Sequence, residues 1–253
     1  MINKLFDIDK KKAILTGGAG GLGYGMAEGL VESGVEVAII DLSPALPEAV
    51  ERLNKIGKAY AVKGDISTSE GRQEAFYKAL ELLGGEVDIM INCAGVQKRH
   101  PSEEFPIEDW QFVIDINLTA SFELCQLAGR EMLKKGKGKI INVASMLSYF
   151  GGYTVPAYAA SKGGVAQFTK ALSNEWASKG INVNAIAPGY MDTQMNTALI
   201  NNPDRNEKIL ARIPAGRWGT PQDVKGAIIY LASPASDYIN GAIIPVDGGY
   251  LGN

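Results

Sequence analysis

The sequence predicts an α/β fold, a doubly wound seven-stranded parallel sheet with helices on both faces, in one domain over residues 1–253. Three observations carry that prediction. Short apolar runs rich in β-branched residues alternate with longer amphipathic segments, as repeated βα units require when a parallel sheet is buried on both sides. A glycine-rich stretch joins the first apolar run directly to the first helical segment. No Pro/Ser-rich linker, like-charge block or low-complexity stretch divides the 253 residues, which favours one domain over two.

Taken in order, the strands are expected at Ala13–Thr16, Val35–Asp41, Ala59–Lys63, Val87–Asn92, Lys139–Ala144, Asn182–Ala187 and Ala242–Val246. Helices are expected at Leu22–Glu32, Leu46–Ile56, Ser69–Leu83, Trp110–Lys135, Ala157–Ser178, Pro203–Ile213 and Gln222–Leu231. Gly34 and Gly57 fall just past helix ends, where a left-handed residue is wanted, and Thr220-Pro221 reads as an N-cap followed by proline at the first helical position.

Charge and composition exclude several roles. A net charge of −3 leaves no basic surplus for a phosphate backbone, so nucleic acid is not an expected partner. No apolar run approaches the ~18 residues of a membrane span, and Met1-Ile2-Asn3-Lys4 leads into charged residues rather than an apolar signal core. A cytoplasmic protein is expected. Cys93 and Cys125, with a single histidine in the chain, cannot assemble a conventional zinc site, so no metal is expected. Cys93 reads as a small packing residue rather than a nucleophile.

Doubly wound sheets bind ligands at the carboxyl ends of their strands, so the residues there carry the functional reading. The turn Thr16-Gly17-Gly18-Ala19-Gly20-Gly21-Leu22-Gly23 lets backbone approach a pyrophosphate, whose charge the free N–H groups and the helix dipole stabilise. Gly17, Gly21, Leu22 and Gly23 are the expected contacts. By itself such a turn is weak evidence, since an ordinary βα turn also uses glycine. Asp41 ends the second strand 18 positions after Gly23, where a carboxylate accepts from the adenosine ribose hydroxyls. It would repel a 2′-phosphate, and neither the turn nor residues 42–47 supply a balancing Arg or Lys. The expected cofactor is therefore NAD. Asp65, Ile66 and Asn92 fall on the same edge and extend the groove towards the adenine and its ribose.

Tyr158 and Lys162 stand four apart on one helical face, so the ammonium is expected to favour the phenolate and bring the phenol towards neutrality. Ser145, just after the fifth strand, can hold the reacting oxygen towards that phenol. Singly, these residues also read as a cap, half-buried packing and a solvated helix residue; their joint order along the chain is what carries the chemistry. Together they point to hydride transfer at a carbinol carbon, with Tyr158 as acid or base.

On Thr16-Gly17-x-x-x-Gly21-x-Gly23, Asn92-x-Ala94-Gly95, Asn117, Ser145, Tyr158-x-x-x-Lys162, Pro188-Gly189-x-x-x-Thr193 and Val246-Asp247-Gly248-Gly249, the sequence resembles the short-chain dehydrogenase/reductase family, a Rossmann-type group, over essentially its whole length. That resemblance implies that Asn117 holds a water in a proton relay from Lys162. It also implies that Tyr158 and Lys162 contact the cofactor, Lys162 at the nicotinamide ribose, that Met191 and Thr193 lie near the carboxamide, and that the protein is a homotetramer.

Substrate choice should come from residues 96–104, 146–155 and 190–212. The first loop carries Gln97-Lys98-Arg99-His100-Pro101, three potential cations that by themselves read as ordinary solvated loop charges but would suit an anionic substrate, and the resemblance makes Arg99 the expected carboxylate ligand beside Ser145 and Tyr158. Its wording is similar to that of gluconate 5-dehydrogenases. Ala144-Ser145-Met146-Leu147-Ser148 and Ile213-Pro214-Ala215-Gly216-Arg217-Trp218-Gly219 are closer to 2-dehydro-3-deoxy-D-gluconate 5-dehydrogenases. A sugar acid is thus the expected small-molecule substrate. The alternatives are a neutral polyol or a small ketone such as acetoin, or a non-catalytic NAD(H)-sensing protein.

Overall fold

The computed structural model describes residues 2–253, with side chains from Lys4 onward. Seven strands, β1 (Lys12–Thr16), β2 (Glu36–Asp41), β3 (Lys58–Lys63), β4 (Ile89–Asn92), β5 (Gly138–Val143), β6 (Ile181–Pro188) and β7 (Ile243–Val246), form one sheet in the order β3-β2-β1-β4-β5-β6-β7. Every neighbouring pair is parallel, as the continuous apolar runs required. The helices are α1 (Ile2–Leu5), α2 (Gly21–Glu32), α3 (Leu46–Leu53), α4 (Ser69–Leu82), α5 (Ile107–Ile114), α6 (Ala120–Lys135), α7 (Pro156–Trp176), α8 (Thr197–Ile200), α9 (Pro203–Leu210) and α10 (Lys225–Ala232).

Each sheet face buries its own core. On one side Leu15, Ile39 and Ile91 pack with Met26 and Leu30 of α2 and Ile228 and Leu231 of α10. On the other, Ile14, Ile40 and Met90 pack with Phe76 of α4, Leu124 and Ala128 of α6, and Leu172 and Trp176 of α7. Burial of an apolar side chain on this scale contributes about 1.5–3 kcal/mol, so these two layers hold the strand ends in place. Chain order reverses between β1 and β4, which opens a crevice at their carboxyl ends. There the Thr16 hydroxyl accepts from the Cys93 and Ala94 N–H groups, both at 3.2 Å, and ties the two strand ends together.

Three expectations need correction. The helix expected over Trp110–Lys135 is α5 and α6 joined by a π-helical turn, Asp115–Thr119, so the chain carries one residue more than a continuous α-helix would place there. Gly57 is not left-handed: α3 ends at Leu53, and Gly57 is there because a Cβ would lie 2.5 Å from Val31 Cγ1. Gly34, at φ +82°, is left-handed as expected. The helix starting after Thr220-Pro221 begins as a 3₁₀ turn, Pro221–Val224, closed by a capping box between Thr220 and Asp223.

Candidate active site

The glycine turn forms one wall of a cleft of about 890 Å³ at the β1/β4 crevice, lined by Gly17, Gly21, Leu22, Gly23, Asp41, Asp65 and Ile66. Side chains would destroy this wall. A Cβ on Gly17 would lie 2.7 Å from Ala94 Cα, and one on Gly23 would lie 2.0 Å from the Gly17 carbonyl oxygen. Gly17 (φ +75°) and Gly21 (φ +52°) are also left-handed. The bare backbone of the turn and the N-terminus of α2 line the cleft, an arrangement that fits a dinucleotide pyrophosphate.

Asp41 stands at the far end of this wall. Its carboxylate accepts from Ala19 N at 2.9 Å through one oxygen and from Ser43 N at 2.9 Å through the other. The glycine turn and the carboxylate are thereby locked into one unit. Asp65 and Ile66 continue the lining, but the Asp65 carboxylate accepts from Ser67 N at 2.8 Å, and this hydrogen bonding holds it below the ordinary carboxylate range. The loop they occupy is clamped by buried Arg72, which donates to the Ile66 carbonyl at 2.7 Å, the Ser67 carbonyl at 2.8 Å and Glu123 at 2.8 Å. Sequence reading missed Arg72, because nothing local marks a helix arginine that turns back on its own N-terminal loop.

Asn92 does not line the cleft. It is 2 % exposed and its amide donates to Asn142 Oδ1, Cys125 Sγ and the Ser121 carbonyl, on the opposite face of the sheet. Side chains alternate along a strand, so it is the next residue, Cys93, that turns to the cleft. Burial pushes the Cys93 thiol up to about 11, the reverse of what a nucleophile needs.

Ser145 and Tyr158 lie where the cleft meets a second lobe of about 380 Å³, and Lys162 lines the cleft behind them. Ser145 caps a 3₁₀ turn and accepts from Leu147 N at 3.1 Å. Burial pushes the Tyr158 phenol up to about 12, against the downward pull of hydrogen bonding from Ser145 and of the Arg99 charge. The expected lowering by Lys162 is not what the chain's own groups produce. The Lys162 ammonium lies 5.6 Å from the centre of the Tyr158 ring and donates to the Val143 carbonyl at 2.7 Å. Burial drives it down to about 8.

Asn117 sits in the π-helical turn and is fully buried. Its amide accepts from Val96 N at 2.8 Å and donates to the Val96 carbonyl at 2.9 Å and to Ser161 Oγ at 3.2 Å. Ser161 in turn donates to the Tyr158 carbonyl at 2.8 Å, so Asn117 couples the loop after β4 to the helix that carries Tyr158. Met191 and Thr193 line the opposite side of the cleft, with the Thr193 side chain across from Gly21.

Of the three potential cations after β4, only Arg99 reaches the second lobe. Lys98 and His100 both turn to Asp109, at 3.1 and 2.7 Å. Arg205, Lys208 and Arg212 line the same lobe, and among the described residues no Asp or Glu does. They are exposed cations on or beside α9, indistinguishable in sequence from a solvated helix face.

A family model described as enoyl-(acyl carrier protein) reductase, from the group of short-chain reductases, matches residues 17–251. The chain belongs to the short-chain dehydrogenase/reductase family. This dehydrogenase is 44 % identical over 251 residues, 99 % of its own length and 98 % of the relative's, to 2-dehydro-3-deoxy-D-gluconate 5-dehydrogenase of Bacillus subtilis (strain 168). It is 40 % identical over 252 residues, 99 % of each chain, to 5-keto-D-gluconate 5-reductase of Escherichia coli (strain K12). Among solved structures, a gluconate 5-dehydrogenase from Burkholderia cenocepacia in complex with NADP and tartrate superimposes with a TM-score of 0.94 at 35 % identity, covering all of both chains. The dehydrogenase is an oxidoreductase of CH–OH groups that uses a nicotinamide cofactor. Among its described residues no helix is long and apolar enough to cross a membrane.

Proposed function

We propose that the dehydrogenase interconverts a hydroxyl and a keto group on a sugar acid, with NAD as the preferred cofactor. The observation that carries this reading is the second lobe, in which Ser145 and Tyr158 face Arg99 and further cations with no acid among the lining residues. The charged groups that a carboxylate meets there are all cations. The relatives' names, two enzymes of gluconate derivatives, support the same class. When bound, the nicotinamide supplies or removes the hydride. Ser145 Oγ then holds the substrate oxygen, Tyr158 Oη gives or takes its proton, Lys162 positions Tyr158, and Asn117 holds a water in the relay that carries the proton between Lys162 and solvent. Leu22, Gly23, Met191 and Thr193 shape the cleft around the cofactor.

Arg99→Ala should raise KM for D-gluconate or its keto derivative about 10- to 100-fold, the loss of a charge-assisted hydrogen-bonded pair, while sparing a neutral polyol. Steady-state kinetics on both substrates would check it. An equal effect on both would move the assignment to a neutral alcohol.

The cofactor preference rests on Asp41. With one lone pair on each oxygen already engaged, the carboxylate keeps its remaining acceptors for ribose hydroxyls and its charge against a 2′-phosphate. The Burkholderia relative was solved with NADP, so the ratio of kcat/KM for NAD and NADP is the deciding measurement. The wild type should favour NAD, and Asp41→Ala should shift that ratio at least tenfold towards NADP (about 1.4 kcal/mol). A wild type that already prefers NADPH would refute the proposal.

A homotetrameric, cytoplasmic enzyme completes the reading. Phe122 of α6 is 42 % exposed and packs edge-on against Phe168 of α7, an apolar surface on the two helices that flank Asn117 and Tyr158. Light scattering should give four times the 27.0 kDa chain mass.

A further inference from the structure

The second lobe has two walls. The loop after β4 brings Arg99, and the α9 segment opposite brings Arg205 and Arg212. Tyr190 lies between them, and the charges of both Arg212 and Arg99 pull on its hydroxyl against the upward push of burial. The Arg212 guanidinium lies 4.5 Å from the centre of the Tyr250 ring, which stacks on Phe150 and meets Tyr190 edge-on. The α9 segment is fastened to this aromatic wall by Trp218, whose Nε1 donates to Asn206 Oδ1 at 2.7 Å while its ring packs edge-on against Tyr190.

Among the described residues none of these three guanidiniums is in an ion pair, whereas Arg72 and Arg217 are. Arg99 donates only to the neutral Gln97 side chain, at 3.0 Å. Both arginines line one lobe, and the Arg99 guanidinium is held below the ordinary arginine range, first by burial and next by the Arg205 charge. Like charges facing across a partly dried lobe repel, and an anion placed between them removes that repulsion.

We propose that Arg205 and Arg212 are specificity-determining residues that grip the same substrate carboxylate as Arg99, from the opposite wall. This rests on the sugar-acid reading above and deepens it. A carboxylate joins the loop after β4 to α9 through two planar forks. A polyol leaves three guanidiniums facing one another. Discrimination against neutral substrates therefore comes from what only an anion gains, the relief of that repulsion and the charge-assisted hydrogen bonds, while a polyol gains neither.

The test is calorimetric binding of D-gluconate, with D-glucitol as the neutral control, to the full-length enzyme with NADH present. Arg205→Ala and Arg212→Ala should each weaken D-gluconate about tenfold and leave D-glucitol unchanged, the size expected for one charge-assisted hydrogen bond. Arg205→Lys, which keeps the charge without the fork, should fall between. The double variant Arg99→Ala/Arg205→Ala should lose less affinity than the product of the single losses, because the two arginines share one anion. Losses that multiply, or full D-gluconate affinity in both single variants of the α9 wall, would overturn the shared grip. If Arg99→Ala is itself without effect, the sugar-acid reading fails as well; if Arg99→Ala loses affinity and the α9 variants do not, only this inference fails. None of the three side chains belongs to a hydrophobic core cluster, so melting temperatures close to wild type are expected and serve as the folding control.

Discussion

Tyr158→Phe should lower turnover about 10²- to 10⁴-fold, the range for removing a positioned proton donor or acceptor, while leaving NADH affinity within a few-fold. The substitution keeps the ring and its packing on α7 and removes only the hydroxyl at the junction of cleft and lobe. With the phenol pushed up to about 12, the protonated form dominates at neutral pH and is ready for ketone reduction. Alcohol oxidation needs the phenolate, whose fraction rises about tenfold per pH unit below that value. The logarithm of kcat/KM for oxidation should therefore climb with pH, while that for reduction should stay flat only up to about pH 8, where the Lys162 ammonium begins to lose its proton. Bound NAD, with its cationic ring, would move the rise to lower pH without changing its direction. A Tyr158→Phe enzyme within tenfold of wild type would remove Tyr158 from the chemistry.

Lys162→Met should separate activity from stability. Turnover should fall at least 100-fold, yet the folded state at pH 7 should be as stable as wild type or more so. The reason is the buried ammonium. Lys162 is 4 % exposed and is driven from 10.5 in an open chain down to about 8 in the fold. Below pH 8 both states are protonated and the fold carries the full penalty, of the order of 3 kcal/mol. Between about pH 8 and 10.5 the folded state releases its proton first, the unfolded state holds more protons, and stability rises with pH. Methionine removes the penalty but leaves the Val143 carbonyl without its donor, a loss of about 1–3 kcal/mol. Any advantage of the variant at pH 7 should therefore shrink and reverse towards pH 10. Denaturant titrations across that range check it, and parallel stability curves for the two proteins would exclude a buried, titrating Lys162. The lysine is thus a cost borne by the fold for the sake of the site.

What the sequence made legible was local. Runs such as Ala13-Ile14-Leu15-Thr16 and Val37-Ala38-Ile39-Ile40 declare buried parallel strands by their content alone, and all seven strands fall where they were expected to within two residues. Gly17, Gly23 and Asp41 are legible because the backbone approach and the ribose carboxylate sit at set distances along one βαβ unit. Tyr158 and Lys162 share a helical face by spacing. Asn92 was misread because strand-end position does not say which face a side chain takes when both faces are buried. Lys98 and His100 looked free because their partner, Asp109, comes nine or more residues later, on α5. Arg205 and Arg212 become a wall only once α9 is laid against Tyr190 and Tyr250, contacts that no local pattern encodes. The buried pKa values are a property of packing and could not be read at all: proximity in sequence suggested a lowered phenol, and desolvation reversed it.

The π-helical turn at Asp115–Thr119 has a consequence for how this stretch can change. One surplus residue rotates everything after it by about 100° relative to an uninterrupted helix. Deleting a single residue there would regularise the hydrogen-bond ladder of Ile107–Lys135, and by helix criteria alone would be an improvement. It would also swing either α5 or α6 away from its present neighbours and break the match between Asn117 and the backbone of Val96. The irregularity therefore protects itself: this stretch should accept a change of side chain more readily than a change of residue count.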